Sequence, residues 1–399
     1  MGLAEFPRAG PRIGAFASTS LVGAGYTAGP HRTEHETRDL RASTAALPGA
    51  APPPRAMKIV YGVAGEGLGH VFEAIEMVAR LRREGHSVKV LTFGERALGV
   101  MRDLDPTRIE GIQLYFGRGG LSLPATVRRN LRCIPFYMRN WRRLRRELEG
   151  FAPDAFITAY EPFTTFASHR LHRPLISMDN QNELLYMRAP RGPGSFDFRL
   201  ARLATRVCTH GAAHYIVKSF DRTPRGGANV HFVYPVVQGV IRELRPSDEG
   251  HILVYLTKPN PGLVRVLNSM DGRFIVYCNN RVGEEGNVTY RAQGPQFPKD
   301  LGSCRAIIAT AGFSLIADSV YLRKPYFAVP LRRQFEQTHN AQFLLESGLG
   351  EACENPGRAE LEGFLGRLDV YRERLARYRI DPAEQEEKML ELLRIVRAA

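Results

Sequence analysis

The sequence predicts an α/β protein of two doubly wound, Rossmann-like domains facing a central cleft. Three observations carry this. From residue 57 onward, short apolar runs rich in Val, Ile and Tyr alternate with segments of helical period. The series pauses after "YPVVQGVIRELRPSDEG" and restarts at "HILVYLT". Each half holds a glycine-bearing turn directly behind a strand, "GVAGEGLGH" in the first and "TAGFS" in the second. Unbroken apolar runs mark strands buried on both faces, as in parallel sheets covered by helices.

Residues 1–56 are rich in Ala, Gly, Pro, Ser and Thr, end in "GAAPPPRA" and lack a sustained apolar period, which predicts a disordered extension. The apolar stretch "IGAFASTSLVGAG" is broken by Ser and Gly and lacks the compact core of an export signal. Met57 is a candidate start, because "KIVYGV" follows at once. The first domain, 57–235, continues with the helix "FEAIEMVARLRREGH", stopped at Gly85, and the strands "SVKVLTF", "DAFITAY", "PLISMD" and "AHYIVKS". Residues 236–250 read as a linker. The second domain, 251–378, carries "HILVYLT", "RFIVYCN", "NVTYRA", "RAIIAT" and "PYFAVP", and a striped helix, "AEQEEKMLELLRIVRA", fills 379–399. Ligands of such sheets bind beyond the carboxyl ends of the strands, so both glycine turns should face the cleft.

The chain has 399 residues, of which 44% are hydrophobic and 24% charged, a composition that suits folded globular domains. No run approaches the roughly 18 apolar residues of a membrane span. The five cysteines are scattered, with no C-x-x-C pair, and read as reduced thiols of a cytoplasmic protein. There is no H-E-x-x-H, no Cys/His cluster and no D-x-D at a strand end, so no metal is expected. The net charge of +14, mostly from arginine, calls for an anionic partner: a nucleotide, a lipid headgroup or a nucleic acid.

In the second turn, Thr310 to Ser314 follow the strand "AIIAT" and open the helix "SLIADSVYL". A helix N-terminus behind a glycine offers free N–H groups and a positive dipole end to an anion. Asp318, six residues after Gly312, suits the hydroxyls of a ribose. Gln334, Gln337 and Asn340 are spaced three apart, a helix face that suits a sugar.

"GFSLIADSVYLRKP" and "QFEQTHNA", with the loop "GEGLGH", resemble glycosyltransferases of family 28 and their relatives over about residues 57–375. That group includes the N-acetylglucosaminyltransferase that completes the lipid-linked peptidoglycan precursor. The match is strongest to a less characterised branch. The resemblance implies the GT-B fold and transfer of sugar from a nucleotide diphosphate donor, usually UDP-linked, with inversion, without metal and with no further cofactor. It implies that Gly312, Phe313 and Ser314 contact the diphosphate, that Asp318 holds the ribose, and that Glu336 and Gln337 bind the donor sugar. The nucleobase would lie near "QGPQFP" against Phe297, with Thr257 and Lys258 as further phosphate contacts. Two positions depart from the family pattern: Asp318 stands where Glu is usual, and Ala311 where a second glycine is common.

Inverting transfer needs a base for the acceptor hydroxyl and support for the leaving diphosphate. The base candidates, in order, are Glu161 in "TAYEPF", His70 at the end of the glycine loop and Asp179 in "SMDNQN". Each has a bland alternative: Glu161 or Asp179 as a helix cap, His70 as a loop-positioning group. Gly65, Gly67, Gly69 and His70 would face the acceptor, holding its phosphate if it carries one or shaping the cleft if it does not. "VRRNLRCIPFYMRNWRRLRREL" holds eight arginines interleaved with apolar residues. Arg132, Phe136, Trp141 and Arg142 are therefore candidates for contact with an anionic membrane surface and a lipid-linked or glycan acceptor. A helix hairpin with its aromatics packed inward accounts for the same pattern. Rival readings are a nucleotide-sugar epimerase of the same fold, an NAD-dependent oxidoreductase, a nucleic-acid-binding protein and a non-catalytic sugar-binding relative. The second strand lacks the acidic end of a dinucleotide site. No nucleic-acid-binding motif appears either.

Overall fold

The computed structural model describes residues 56–398, apart from 66–67, 112–115, 118–119, 122–127, 129–134, 188–194, 222–225, 332–333 and 382. The predicted disordered extension, Gly67 and Arg132 lie outside the described residues.

The first sheet contains β1 (Lys58–Val63), β2 (Ser87–Thr92), β3 (Thr107–Arg108), β6 (Ala155–Ala159), β7 (Leu175–Asp179), β8 (His214–Lys218) and β9 (Val230–Val233). A two-residue hairpin, β4 (Phe116–Gly117) with β5 (Gly120–Leu121), stands apart from it. All seven strands are parallel, in the order β3-β2-β1-β6-β7-β8-β9. The order reverses between β1 and β6, which is where a doubly wound sheet opens its ligand crevice. The second sheet contains β10 (His251–Tyr255), β11 (Arg273–Tyr277), β12 (Gly283–Glu285), β13 (Val288–Tyr290), β14 (Ala306–Ala309), β15 (Tyr326–Ala328) and β16 (Gly350–Ala352). Its order is β12-β13-β11-β10-β14-β15-β16, parallel but for the antiparallel β12 at the edge, and it reverses between β10 and β14.

All ten strands expected from apolar runs form. β1, β6, β7 and β14 are buried almost throughout, as two-sided helix cover requires. Helix Leu68–Arg83 presents Val71, Ala74, Met77, Val78 and Leu81 to the first sheet and ends at Gly85, whose φ of 85° reverses the chain. The striped C-terminal helix, Glu384–Ala398, packs Met389, Leu390, Leu392 and Leu393 into the core of the first sheet. Phe220, just past β8, does the converse: it stacks on Phe343 at 4.3 Å in the second core, alongside Val237 and Ile241. Among the described residues no helix is long and apolar enough to cross a membrane.

Candidate functional site

The two switch points face each other. Beyond β1 the chain turns through Gly65 into helix Leu68–Arg83, and beyond β14 it turns through Thr310–Gly312 into helix Phe313–Tyr321. The first turns of these helices approach closely: a Cβ placed on Gly69 would lie 3.0 Å from Ser314 Oγ. Gly65 has a different task. A Cβ there would lie 1.5 Å from the Phe93 carbonyl oxygen, so its bare backbone lets the loop cross the end of β2. Of the described loop glycines only Gly69 faces the second sheet; the loop is divided between scaffold and cleft.

The second turn has the geometry an anion could use. Gly312 is the N-cap of helix Phe313–Tyr321, no side chain caps that helix, and a Cβ on Gly312 would meet nothing nearer than the Thr310 carbonyl oxygen at 4.0 Å. The space in front of the turn is therefore open; Gly312 N donates to the Thr310 carbonyl at 2.7 Å, and the first-turn N–H groups that follow it, uncapped by any side chain, carry the positive end of the helix dipole. Asn340 Nδ2 donates to the Ala311 carbonyl at 3.0 Å and braces the turn from behind. Thr257 Oγ1 lies 3.0 Å from Thr310 Oγ1, tying the ends of β10 and β14 together at the switch point. Lys258 follows Thr257 at the same strand end and is partly exposed.

Asp318 sits one helical turn deeper and is 3% exposed; it lies beside the backbone N–H of Gln238, while its Oδ1 has no partner. Burial, with the Glu73 charge nearby, pushes its carboxyl up to about 8, so it is protonated at neutral pH and can both donate and accept.

The amides expected to form a sugar-binding face act differently. Helix Phe335–Ser347 begins after Gln334, which is its N-cap residue. Gln337 is buried and its Oε1 accepts from Leu331 N at 2.8 Å, while Asn340 is spent on Ala311. Both brace backbone rather than offer themselves to hydroxyls. Glu336 does face the opposite domain: Asn180 Nδ2 and Gln181 Nε2 donate to its two oxygens at 3.0 and 3.1 Å. Phe297 has its ring set edge-on between Tyr255 and Tyr277, at 5.6 and 4.9 Å.

The three base candidates separate clearly. Glu161 is 0% exposed and caps helix Pro162–Arg170, taking Phe163 N at 2.9 Å and Thr164 N at 2.7 Å, with Thr164 Oγ1 at 2.6 Å. Burial raises its carboxyl to about 7 against those hydrogen bonds. Both oxygens are committed, so the sequence ranking that put it first gives way to its capping alternative. His70 and Asp179 come together instead. Asp179, at the end of β7, is 0% exposed; its Oδ1 accepts Gln181 N at 2.9 Å. Its Oδ2 has no hydrogen-bond partner and lies 3.6 Å from His70 Nδ1. His70 is 15% exposed at its side chain and stacks on the Tyr160 ring at 6.3 Å. Tyr160 holds the left-handed φ of 58°, a strained conformation for a bulky residue, between β6 and the Glu161 cap.

The arginine-rich segment forms helix Pro135–Phe151. Its aromatics turn inward: Tyr137 and Trp141 pack on Phe166 at 5.7 and 6.0 Å, and Leu144 and Leu148 are buried. Trp141 is therefore not an outward anchor. The exposed face carries Met138, Arg142, Arg145 and Arg146, of which Arg145 pairs with Glu149. The Phe136 side chain lies outside what the structure describes. Among the described residues no group of three or more His, Cys, Asp or Glu side chains could hold a metal ion.

Sequence reasoning missed two buried residues of the cleft floor, Glu73 and Lys218, which form an ion pair beside Ser314. A charged residue closing an apolar strand run was the only available signal for Lys218.

Comparison with known proteins agrees with this geometry. A search of curated sequences matches none. Among solved structures the chain is similar to the kitacinnamycin glycosyltransferase (TM-score 0.60, 16% identity, 81% of this chain and 94% of that one). It is similar also to Streptomyces sp. SF2575 SsfS6 in complex with thymidine diphosphate (0.54, 15%, 84% and 99%) and to Acinetobacter baumannii MurG (0.55, 16%, 85% and 99%). At these identities the likeness speaks for the fold. The family model for glycosyl transferase family 1 matches residues 57–369, and with two parallel sheets facing each other across a built cleft, the chain belongs to that family and is a glycosyltransferase of the GT-B fold.

Proposed function

We propose that this enzyme moves a sugar from a nucleoside diphosphate donor, linked to UDP or dTDP, onto an acceptor hydroxyl by a single displacement with inversion. The observation that carries this reading is the close approach of Gly69, the neighbour of His70, to the first turn of helix Phe313–Tyr321, where a Cβ on Gly69 would lie 3.0 Å from Ser314 Oγ. The donor diphosphate would lie in front of Gly312, against the N–H groups of Phe313 and Ser314, with Thr257 and Lys258 flanking it and Asp318 offering its unpartnered oxygen to the ribose. His70 takes the proton from the acceptor hydroxyl, and Asp179 stabilises the imidazolium that forms. Base and leaving group then belong to opposite sheets, on either side of the sugar, which is the arrangement in-line attack with inversion needs. The leaving diphosphate is supported by helix N-termini and cationic side chains, so the reaction is expected to survive chelation of metals.

Glu336 would bind sugar hydroxyls after exchanging its contacts with Asn180 and Gln181. The exposed arginines of helix Pro135–Phe151 favour an anionic acceptor, such as a lipid-linked phosphate sugar of the cell envelope, through charge rather than an aromatic anchor. A thermal-shift panel of UDP, GDP, dTDP and their sugars tests the donor reading. Stabilisation by UDP or dTDP supports it; no response to any nucleotide overturns it.

A further inference from the structure

Lys218 is, among the described residues, the one buried lysine or arginine on the cleft side of either sheet; Lys324, also buried, bonds to the Ser247 and Cys304 carbonyls ahead of β15, at the far end of the second sheet. It is 1% exposed at the carboxyl end of β8 and pairs with Glu73, on the second turn of helix Leu68–Arg83. The other oxygen of Glu73 reaches across to the second sheet, where Ser314 Oγ donates to it at 3.3 Å. One carboxylate therefore lies between a buried ammonium and the first turn of the uncapped donor helix.

Two features make this more than a structural ion pair. The charges around it do not balance for a site that must take a diphosphate: Glu73, Asp179, Glu183 and Glu336 crowd the cleft floor, and Lys218 is the buried cation among them. Burial works against the Lys218 ammonium, but Glu73, Asp179 and Glu336 outweigh it and raise its pKa, so it stays charged. The position of the Glu73 oxygen is also telling. A carboxylate hydrogen-bonded to a hydroxyl in the first turn of a helix without a side-chain cap occupies the kind of place an anionic ligand takes.

We propose that Lys218 is a cation of the donor-diphosphate site, held in reserve by Glu73, whose carboxylate fills the anion position beside Ser314 until the diphosphate displaces it. The exchange leaves Lys218 and Ser314 on the diphosphate and moves Glu73 aside. Glu73 lies three residues beyond His70, on the same face of its helix, so the exchange acts on the turn that carries the base.

This assignment rests on the placement of the donor at Thr310–Ser314, and the test separates the two. Binding of UDP and of dTDP is measured by titration calorimetry, at two salt concentrations, for wild type, Glu73→Gln and the neutral pair Glu73→Gln/Lys218→Met. The double variant avoids a lone buried charge, and thermal unfolding confirms that each variant is folded. With Glu73→Gln the diphosphate no longer competes with a carboxylate, so it binds about tenfold tighter and with a steeper salt dependence. The double variant binds at least about tenfold more weakly than wild type, because the cation is gone. A double variant that binds as well as wild type would show that Lys218 merely neutralises Glu73, and would overturn the assignment while leaving the donor site standing. Weaker binding by Glu73→Gln would overturn it as well. Failure of wild type to bind either diphosphate overturns the donor placement and this assignment with it.

Discussion

Asp179→Asn is the sharpest probe of the proposed chemistry. The substitution keeps size and shape and retains an oxygen for Gln181 N, which Oδ1 now accepts at 2.9 Å. What it removes is the charge 3.6 Å from His70 Nδ1. At an effective dielectric of about 20, two unit charges at that distance interact by about 4–5 kcal/mol. Partial access of water to His70 reduces this to ~2–3 kcal/mol, the expected loss of support for the imidazolium as it forms. That corresponds to a fall in kcat of about 30- to 150-fold. Apart from Lys218, the proposed donor contacts lie on the opposite sheet, so KM for the donor should move less than kcat. Steady-state turnover with saturating acceptor, together with calorimetric binding of the nucleoside diphosphate, reads both quantities. Full turnover by Asp179→Asn alongside an inactive His70→Ala would refute the carboxylate's role; full turnover by both would remove the pair from the chemistry.

Glycine substitutions should divide by what each Cβ meets. Gly65→Ala drives a methyl into the Phe93 carbonyl and should cost several kcal/mol of stability, read by denaturant unfolding. Gly69→Ala should unfold normally and weaken donor binding, because its contact is the movable Ser314 hydroxyl at 3.0 Å. Glu161→Gln removes one of two acceptors at the helix cap and should lower stability by about 1–2 kcal/mol with turnover within a few-fold of wild type. A collapse of turnover in a folded Glu161→Gln enzyme would return it to the role of base. Asp318 has its carboxyl raised from 3.8 to about 8, so between those pH values the folded chain binds a proton that the unfolded chain has released. Its contribution to stability is present below about pH 4 and is lost as pH rises through about 8. Asp318→Asn should therefore gain on wild type in melting temperature from pH 4 to 8; a constant difference across that range would contradict the protonated state.

The strands were legible because buried parallel strands need unbroken apolar runs, and "KIVYGV" or "AFITA" has no other good use. β3, β9 and β16 escaped notice because two to four residues carry no period. The turn at Gly312 was legible as a glycine between a strand and a helix, but the use of the amides behind it was not. Asn340 looks like a sugar ligand until its partner, the Ala311 carbonyl, is seen 29 residues away. Glu161 precedes Pro162 at a helix start, a cap signature that sequence offers alongside the base reading; only the two committed oxygens decide between them. The Glu73–Lys218 pair joins residues 145 apart, and no local pattern announces it. The likeness to family 28 pointed to the turn at Gly312 as the donor site, while the family that matches the chain is glycosyl transferase family 1.

The central claim is that the open turn at Gly312 receives the donor diphosphate. Gly312 has an ordinary φ of −76° and free space at the Cβ position, so Gly312→Val should still fold, at a cost of about 1 kcal/mol at the N-cap, while filling the space in front of the turn. Calorimetric titration of UDP and dTDP into both proteins decides the matter. One of these should bind wild type, and Gly312→Val, folded and losing no more than about 1 kcal/mol of stability at the N-cap, should not bind it. Equal binding to both proteins would contradict it.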